Sequence, residues 1–113
     1  MTKPTADFAA FAALDIRVGV VRSAVPAATR KPTLRMEIDF GPLIGLKVSC
    51  GAYTNYSPAE LVGKQVAAVV NFAPRKMGPE ISEVLVLGVQ NPAGEGTIPL
   101  TVDLPVDVGG EVF

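Results

Sequence analysis

The chain has 113 residues, of which 49% are hydrophobic, and its formal net charge at pH 7 is −1. This size indicates a single domain over residues 1–113 with enough apolar material for a compact core. The small charge excludes an overall basic field that would attract nucleic acid. Histidine is absent, which excludes histidine metal ligands and Ser-His or Cys-His nucleophile pairs. We expect no catalytic residues, no metal and no cofactor.

The charges are unevenly distributed along the chain. All ten Lys and Arg lie at or before Lys76, whereas residues 77–113 contain six acids and no cation. Such asymmetry indicates either a polyanionic partner or a solvated surface on which the two halves interleave. The single cysteine, Cys50, excludes an internal disulfide and is typical of a reducing compartment. We therefore expect a cytoplasmic protein.

The N-terminal region is predicted to be a loose tail over residues 1–6, followed by a short helix. Asp7 or Thr5 would cap this helix, which would extend to Leu14. Phe8, Phe11 and Leu14 recur near one helical face. The apolar segment 8–14 is shorter than the roughly 20 residues that a membrane-spanning helix needs, so we expect no membrane insertion.

Five segments have the apolar pattern of β-strands. They are IRVGVV (16–21), LRMEIDF (34–40), LIGLKVSC (43–50), QVAAVVN (65–71) and EVLVLGV (83–89). The second alternates strictly between apolar and charged residues, which predicts a half-buried antiparallel strand. Gly19, inside the first strand, indicates a bend or a close backbone approach. Ser57, Pro58 and Glu60 predict the start of a short helix that ends at Gly63.

The order of these elements predicts an all-β domain. The connections are too short for parallel strand pairs. A short helix between the third and fourth of five antiparallel strands is typical of the Greek-key barrel called the OB-fold. We therefore predict an OB-fold barrel with an added N-terminal helix and added C-terminal strands, and a small β-sandwich is the second choice.

The segment NFAPRKMGPEIS (71–82) is predicted to be a loop that binds a ligand. Arg75 and Lys76 offer donors to phosphate or carboxylate groups, and Arg30 and Lys31 form a second adjacent pair in the loop before the second strand. If both loops open on the same side of the barrel, the four cations converge on one anion site.

Aromatic and sulfur-containing residues supply the apolar candidates. Phe72, Tyr53 and Tyr56 are the side chains available for stacking on bases, and packing within the loops is their alternative role. Met77 is suited to an adaptable apolar site, or to ordinary core filling. Ser82 would donate a hydrogen bond to a phosphate, or to the backbone as a local cap.

The two glutamates in this region argue against phosphate. Glu83 would repel a phosphate in the same groove, pair with Arg75 or Lys76, or hold the cationic end of a peptide. Glu80 and Glu83 could also be proposed as a catalytic acid–base pair, but no nucleophile or metal set accompanies them. We therefore expect a binding protein and not an enzyme.

Four stretches carry a family resemblance. FAALDIRVGVV, RKPTLRMEIDFG, VGKQVAAVVNFAPRKM and SEVLVLG resemble the tRNA-binding-domain superfamily, and within it the CsaA family of export-related molecular chaperones. The resemblance extends from about Phe8 to Val108. It implies an OB-fold, a homodimer, and binding of unfolded or presecretory polypeptide.

The wider superfamily includes domains of methionyl-tRNA synthetases and free tRNA-binding proteins. The chain keeps the superfamily's loop pattern at five positions, which are Asn71, Pro74, Lys76, Met77 and Ser82. It departs from the pattern where Arg-Gly is usual, because Gly78-Pro79-Glu80 replaces one cation by an anion. This change should weaken RNA binding. A second departure, Ser49-Cys50-Gly51-Ala52, lacks the glutamine that CsaA-like sequences usually carry.

Two functions follow from the resemblance. A homodimeric export chaperone would bind polypeptide through Phe72, Arg75, Met77, Ser82 and Glu83, with Tyr53 as an outer candidate. The alternative is a structure-specific tRNA-binding protein. Its RNA contacts would be the six polar residues Arg30, Lys31, Asn71, Arg75, Lys76 and Ser82.

Overall fold

The computed structural model describes residues 1–113 and consists mainly of short antiparallel strands. The elements in chain order are α1 (Phe8–Ala12), β1 (Ile16–Pro26), β2 (Leu34–Asp39), β3 (Leu46–Gly51), α2 (Pro58–Leu61), β4 (Gln65–Val69), β5 (Arg75–Met77), β6 (Glu80–Ser82), β7 (Leu85–Val86), β8 (Gly88–Gln90) and β9 (Thr97–Pro99). Neither helix is long and apolar enough to cross a bilayer.

The main sheet closes almost completely into a barrel. Its strand order is β3-β2-β1-β4-β7, and every neighbouring pair is antiparallel. The outer edge of β3 meets the start of β7, where the Val48 carbonyl accepts backbone hydrogen bonds from Glu83 at 2.8 Å and Val84 at 3.3 Å. With α2 between β3 and β4, the arrangement confirms the predicted OB-like barrel.

The core is built from alternate residues of the barrel strands. Along β2, Leu34, Met36 and Ile38 are buried while the intervening residues are partly exposed, which confirms the predicted half-buried strand. Leu61 of α2 and Phe40 after β2 are almost fully buried. Leu61 therefore packs α2 against the barrel core.

Gly19 allows the side chains of Ile38 and Phe40 to approach the backbone of β1 closely. A Cβ atom at this position would be 2.6 Å from Ile38 Cγ2 and 2.7 Å from Phe40 Cε1. The predicted close approach is therefore confirmed. The strand also runs further than predicted, to Pro26, because a register shift between Val21 and Ser23 lets it bend and keep pairing with β2.

Two predicted strands differ from the structure. The third begins at Leu46 instead of Leu43, because residues 42–44 form a turn that Gly45 completes with a φ of 85°. The fifth is divided into β7 and β8, because the chain leaves β4 after Val86 and pairs with β9 instead.

The predicted helices are shorter or differently capped. The first ends at Ala12, two residues before Leu14, and Asp7 occupies its N-cap position without a side-chain hydrogen bond. In α2 the Glu60 carboxylate accepts the Ser57 backbone N–H at 2.8 Å, in keeping with the predicted capping pattern. This bond holds the pKa of Glu60 below its usual value.

The C-terminal segment folds back along β1. The Gly109 and Val112 amides donate to the carbonyls of Val18 and Ile16 at 2.7 and 2.8 Å. The Gln65 side chain forms two hydrogen bonds with the Val106 backbone, at 2.6 and 3.0 Å. The acidic and basic halves of the sequence therefore interleave in space.

Candidate binding cleft

The predicted ligand loop is a two-stranded hairpin. β5 pairs with β6 so that Arg75 faces Ser82 and Met77 faces Glu80. Gly78 makes the turn with a φ of 62°, in the left-handed region that favours glycine. Since successive side chains alternate along a strand, Arg75 and Met77 lie on one face and Lys76 on the other.

An apolar cavity of about 370 Å³ lies beside this hairpin. Phe72, Pro74, Val84 and Leu85 supply its apolar lining, and its polar lining comes from Arg75, Ser82 and Glu83. Phe72 and Leu85 are 47% and 42% exposed. Side chains of this size are usually buried in water-soluble domains, so this cavity is suited to an apolar group from a ligand.

A middle cavity of about 230 Å³ adjoins the apolar cavity and shares Arg75 and Leu85 with it. Cys50, Gly51 and Tyr53 contribute to its lining. It lies where the end of β3 approaches β7, between the apolar cavity and a third, cationic cavity.

A cationic cavity of about 820 Å³ completes the row. It lies between the β1–β2 loop and the hairpin, and Arg30, Lys31, Arg75 and Met77 line it. It shares Cys50, Gly51 and Arg75 with the middle cavity. Arg75 thus lines all three cavities, and we refer to the three together as the binding cleft.

The two glutamates of this region bond to the barrel and not to the hairpin cations. The Glu80 carboxylate accepts the Ala28 N–H at 3.0 Å and pairs with Arg35 at 3.7 Å. It therefore holds the β1–β2 loop against the hairpin. The prediction that Glu83 pairs with Arg75 or Lys76 is wrong, because its carboxylate accepts the Val48 N–H at 3.0 Å and lies 4.0 Å from Lys47 Nζ.

The four predicted anion-binding cations have no carboxylate partner. The ion pairs of the chain join Arg17 to Asp15, Arg22 to Asp39, Arg35 to Glu80 and Lys47 to Glu83. The Arg75 guanidinium lies 3.6 Å from the Met77 sulfur. The positive charges of Arg30, Lys31, Arg75 and Lys76 are therefore free to meet an anionic ligand.

Three residues of the cleft have internal roles. Tyr53 is 3% exposed and its hydroxyl donates to the Val86 carbonyl at 3.1 Å, so its ring forms part of the floor and of the core. Burial raises its pKa to about 12. The Ser82 hydroxyl accepts the Cys50 N–H at 3.1 Å and donates to the Val84 carbonyl. Burial also raises the pKa of the Cys50 thiol, which disfavours a reactive thiolate.

Two of the predicted RNA contacts do not line the cleft. The Asn71 side chain accepts the Asp15 N–H and donates to the Ala13 carbonyl, both at 2.9 Å, so it fixes the end of α1 to the barrel. Lys76 lies beside Ile81 on the opposite face of the hairpin. The structure brings together Arg30, Lys31 and Arg75, and it leaves Lys76 apart.

The sequence analysis missed several residues of the cleft, among them Leu85 and Glu95. Leu85 lines the apolar cavity, and Glu95 lines the cationic cavity. The alternation within the fifth predicted strand could have identified Leu85, because its side chain lies on the opposite face from the buried Val84 and Val86. No sequence signal points to Glu95, since only the folded chain brings its turn to the β1–β2 loop.

Comparisons with known proteins agree on one family. A family model described as "Putative tRNA binding domain" matches residues 16–111. The methionine--tRNA ligase of Parabacteroides distasonis is 38% identical over 106 residues, which are 94% of this chain and 15% of that protein. The ligase of Methanosarcina mazei is 41% identical over 76 residues, 67% of this chain and 11% of that protein. The chain thus spans a small part of these ligases, and the matched domain is not the catalytic part.

Solved structures match the whole chain. The chaperone CsaA of Bacillus anthracis has a TM-score of 0.89 and 38% identity, covering 97% of this chain and 100% of that one. The CsaA chaperone protein of Picrophilus torridus has a TM-score of 0.89 and 37% identity, with 96% and 100% covered. The MetRS related protein of Pyrococcus horikoshii, at 24% identity and a TM-score of 0.83, shows the same fold. The chain therefore belongs to the tRNA-binding domain family, in which it is similar along nearly its whole length to the CsaA chaperones.

Proposed function

We propose that this protein is a homodimeric chaperone that binds unfolded polypeptide, presecretory chains included, in the binding cleft. The observation that carries the proposal is the apolar cavity, where Phe72 and Leu85 are about half exposed beside the β5–β6 hairpin. The likeness to CsaA chaperones over nearly the whole chain supports it. The protein would act by binding and not by catalysis.

An extended polypeptide suits the shape of the cleft. The three cavities adjoin one another along β3, β7 and the hairpin. A strand-like segment could place successive side chains in them while its backbone bonds to nearby main-chain groups. Main-chain bonds tolerate many sequences, and the cavities would add a mild preference.

The proposed homodimer would cover apolar surface that the single chain leaves exposed. No residue of α1 is buried, and Phe8 is 79% exposed. Leu43, Leu104 and Phe113 are 84%, 72% and 101% exposed. Exposed apolar side chains of this kind, here in α1, in the turn before β3 and in the C-terminal segment, are typical of an interface between subunits.

A titration with a permanently unfolded polypeptide tests the function. Wild-type protein should raise the fluorescence anisotropy of a labelled, reduced and carboxymethylated polypeptide. The double variant Phe72→Ser/Leu85→Ser should bind about tenfold more weakly or worse, because each lost apolar side chain removes about 1.5–3 kcal/mol of burial when fully covered.

The matched control for this titration is Ile81→Ser. Ile81 is 56% exposed and lies with Lys76 on the other face of the same hairpin. Its variant should bind like wild type. Equal loss in both variants, or no binding by wild-type protein to any unfolded polypeptide, would rule out the cleft as the chaperone site.

tRNA binding is the second candidate function, and the unpaired cations favour it. Arg30, Lys31 and Arg75 line one cavity without a carboxylate partner. A labelled tRNA titrated at ~50 and ~200 mM salt would show a steep loss of affinity if several phosphates are contacted. Tight, salt-sensitive binding that Arg75→Ala removes would make RNA the ligand.

A further inference from the structure

We infer that the binding cleft selects polypeptide segments in which an apolar stretch is followed or preceded closely by acidic residues. This inference rests on the proposed function and names the class of segment that the site prefers. The apolar cavity would take the apolar side chain, and the cationic cavity would take the carboxylates.

The cleft is continuous, so one segment can contact both ends of it. The apolar and middle cavities share Arg75 and Leu85, and the middle and cationic cavities share Arg75, Cys50 and Gly51. A chain that leaves the apolar cavity along this path passes Arg75 and enters the space beside Arg30 and Lys31. The Arg75 guanidinium is the point where the two kinds of lining meet.

The charge of the cleft favours an anionic segment. Its three cations make no ion pair within the chain. Glu80 pairs with Arg35, and Glu83, which lines the apolar cavity, accepts the Val48 N–H and lies 4.0 Å from Lys47 Nζ. Glu95 is the one acid that lines the cationic cavity. The excess of cations leaves carboxylates of a ligand as the natural partners for guanidinium and ammonium groups.

The aromatic residues favour polypeptide over RNA as the occupant. Stacking of unpaired bases needs exposed aromatic rings. Phe72 is the one such ring in the cleft, because Tyr53 is 3% exposed. Tyr56 lines none of the three cavities and packs against the core. A single ring can accept one apolar side chain but offers no platform for a run of bases.

Three synthetic peptides test the inference. All share one apolar segment, which is followed by four acidic, four neutral polar or four basic residues. Fluorescence anisotropy should show that the acidic peptide binds about tenfold more tightly than the neutral one, as expected for a few exposed charge pairs. Added salt should narrow this difference.

Charge-matched variants identify the cations. Arg30→Ala/Lys31→Ala should weaken binding of the acidic peptide severalfold more than binding of the neutral peptide, because two of the three cations of the cleft are lost while Arg75 remains. The preference for the acidic peptide should therefore shrink. The control Lys3→Ala/Lys64→Ala alters the net charge equally at residues that do not line the cleft, and it should keep the preference.

The outcomes separate the inference from the function on which it rests. Equal affinity for all three peptides would overturn the inference and leave the polypeptide-binding function intact. Binding of none of them would overturn both. An RNA oligonucleotide that displaces the acidic peptide and binds more tightly at the same residues would overturn the inference in favour of a nucleic-acid site.

Discussion

Tyr53 shows at the residue scale how one side chain can belong to both the core and the cleft. Its ring is buried beneath the middle cavity while its hydroxyl donates to the Val86 carbonyl. The sequence offered Tyr53 as an outer candidate for the peptide site, with packing as its alternative role, and the structure shows that its ring is buried. That burial depends on Gly51, where a Cβ atom would lie 2.6 Å from the ring.

The buried phenol predicts a loss of stability at high pH. Burial raises the pKa of Tyr53 from 10.0 to about 12, so above pH 10 the folded state retains a proton that the unfolded state loses. The free energy of unfolding should therefore fall between pH 10 and about 12. In the Tyr53→Phe variant, the free energy of unfolding should not show this part of the decline at high pH. At neutral pH it should be lower than in wild type by about 1 kcal/mol, because the hydrogen bond to the Val86 carbonyl is lost.

Phenolate absorbance checks the assignment directly. The chain has two tyrosines, and one of them should ionise only when the pH approaches 12. The delayed step should disappear in Tyr53→Phe. Simultaneous ionisation of both tyrosines in folded protein would contradict the burial.

Glu80 is the residue that positions the β1–β2 loop. Its carboxylate accepts the Ala28 N–H and pairs with Arg35. We expect Glu80→Ala to speed hydrogen exchange at the Ala28 amide severalfold, because a net contribution of about 1 kcal/mol per hydrogen bond is lost. Glu80→Gln keeps an acceptor oxygen of similar reach and serves as the matched control, with nearly unchanged exchange. Unchanged exchange in Glu80→Ala would show that the loop is held by other contacts.

The β5–β6 hairpin is the element that gives the cleft its shape. The sequence predicted a loop here because Gly78 and Pro79 interrupt any apolar pattern and each strand is three residues long. Short polar strands carry little periodicity. The cations of this element and of the β1–β2 loop were identified from sequence, but the separation of Lys76 from Arg75 needed the observed pairing.

Gly78 in the hairpin turn and Gly45 in the turn before β3 provide a matched pair of glycine variants. Gly78 and Gly45 have φ values of 62° and 85°, and a Cβ at either position meets nothing closer than ordinary contact distance. Each Gly→Ala change should therefore cost roughly 1–2 kcal/mol of backbone strain. Denaturant unfolding should show similar losses in both variants.

Ligand binding should distinguish these two variants. Gly78 lines the cationic cavity and Gly45 lines none of the three. We expect Gly78→Ala to weaken binding of unfolded polypeptide and Gly45→Ala to leave it unchanged. Full affinity of the Gly78→Ala variant for unfolded polypeptide would show that the hairpin turn is not part of the binding surface.

At the scale of the whole molecule, the antiparallel barrel could be predicted from the sequence. The alternation of β2, the apolar β4 and the capped α2 specify an antiparallel barrel around one core. The division of the fifth strand was not predicted, since it depends on β8 leaving β4 to pair with β9 across the turn at residues 91–96. Tertiary pairing decides such boundaries more than local propensity.

The exposure of α1 leads to a prediction about the oligomeric state. Phe8→Asp should convert the proposed homodimer to monomer in light scattering, because a charge would replace an apolar side chain at the interface. Ile81→Asp, on the outer face of the hairpin, should remain dimeric. A wild-type protein that is monomeric at all concentrations would contradict the proposed homodimer. A dimer unaffected by Phe8→Asp would show that α1 does not lie in the interface.

Polypeptide binding in the cleft is tested most directly by amide chemical-shift mapping of the protein during titration with an unfolded polypeptide. We expect the shifts to concentrate at residues 72–75, 50–52 and 82–85, which line the apolar and middle cavities. The shifts should saturate at the same polypeptide concentration as the fluorescence anisotropy of the labelled polypeptide. Shifts confined to other surfaces, or an unchanged spectrum at saturating polypeptide, would contradict the assignment of the cleft as a polypeptide-binding site.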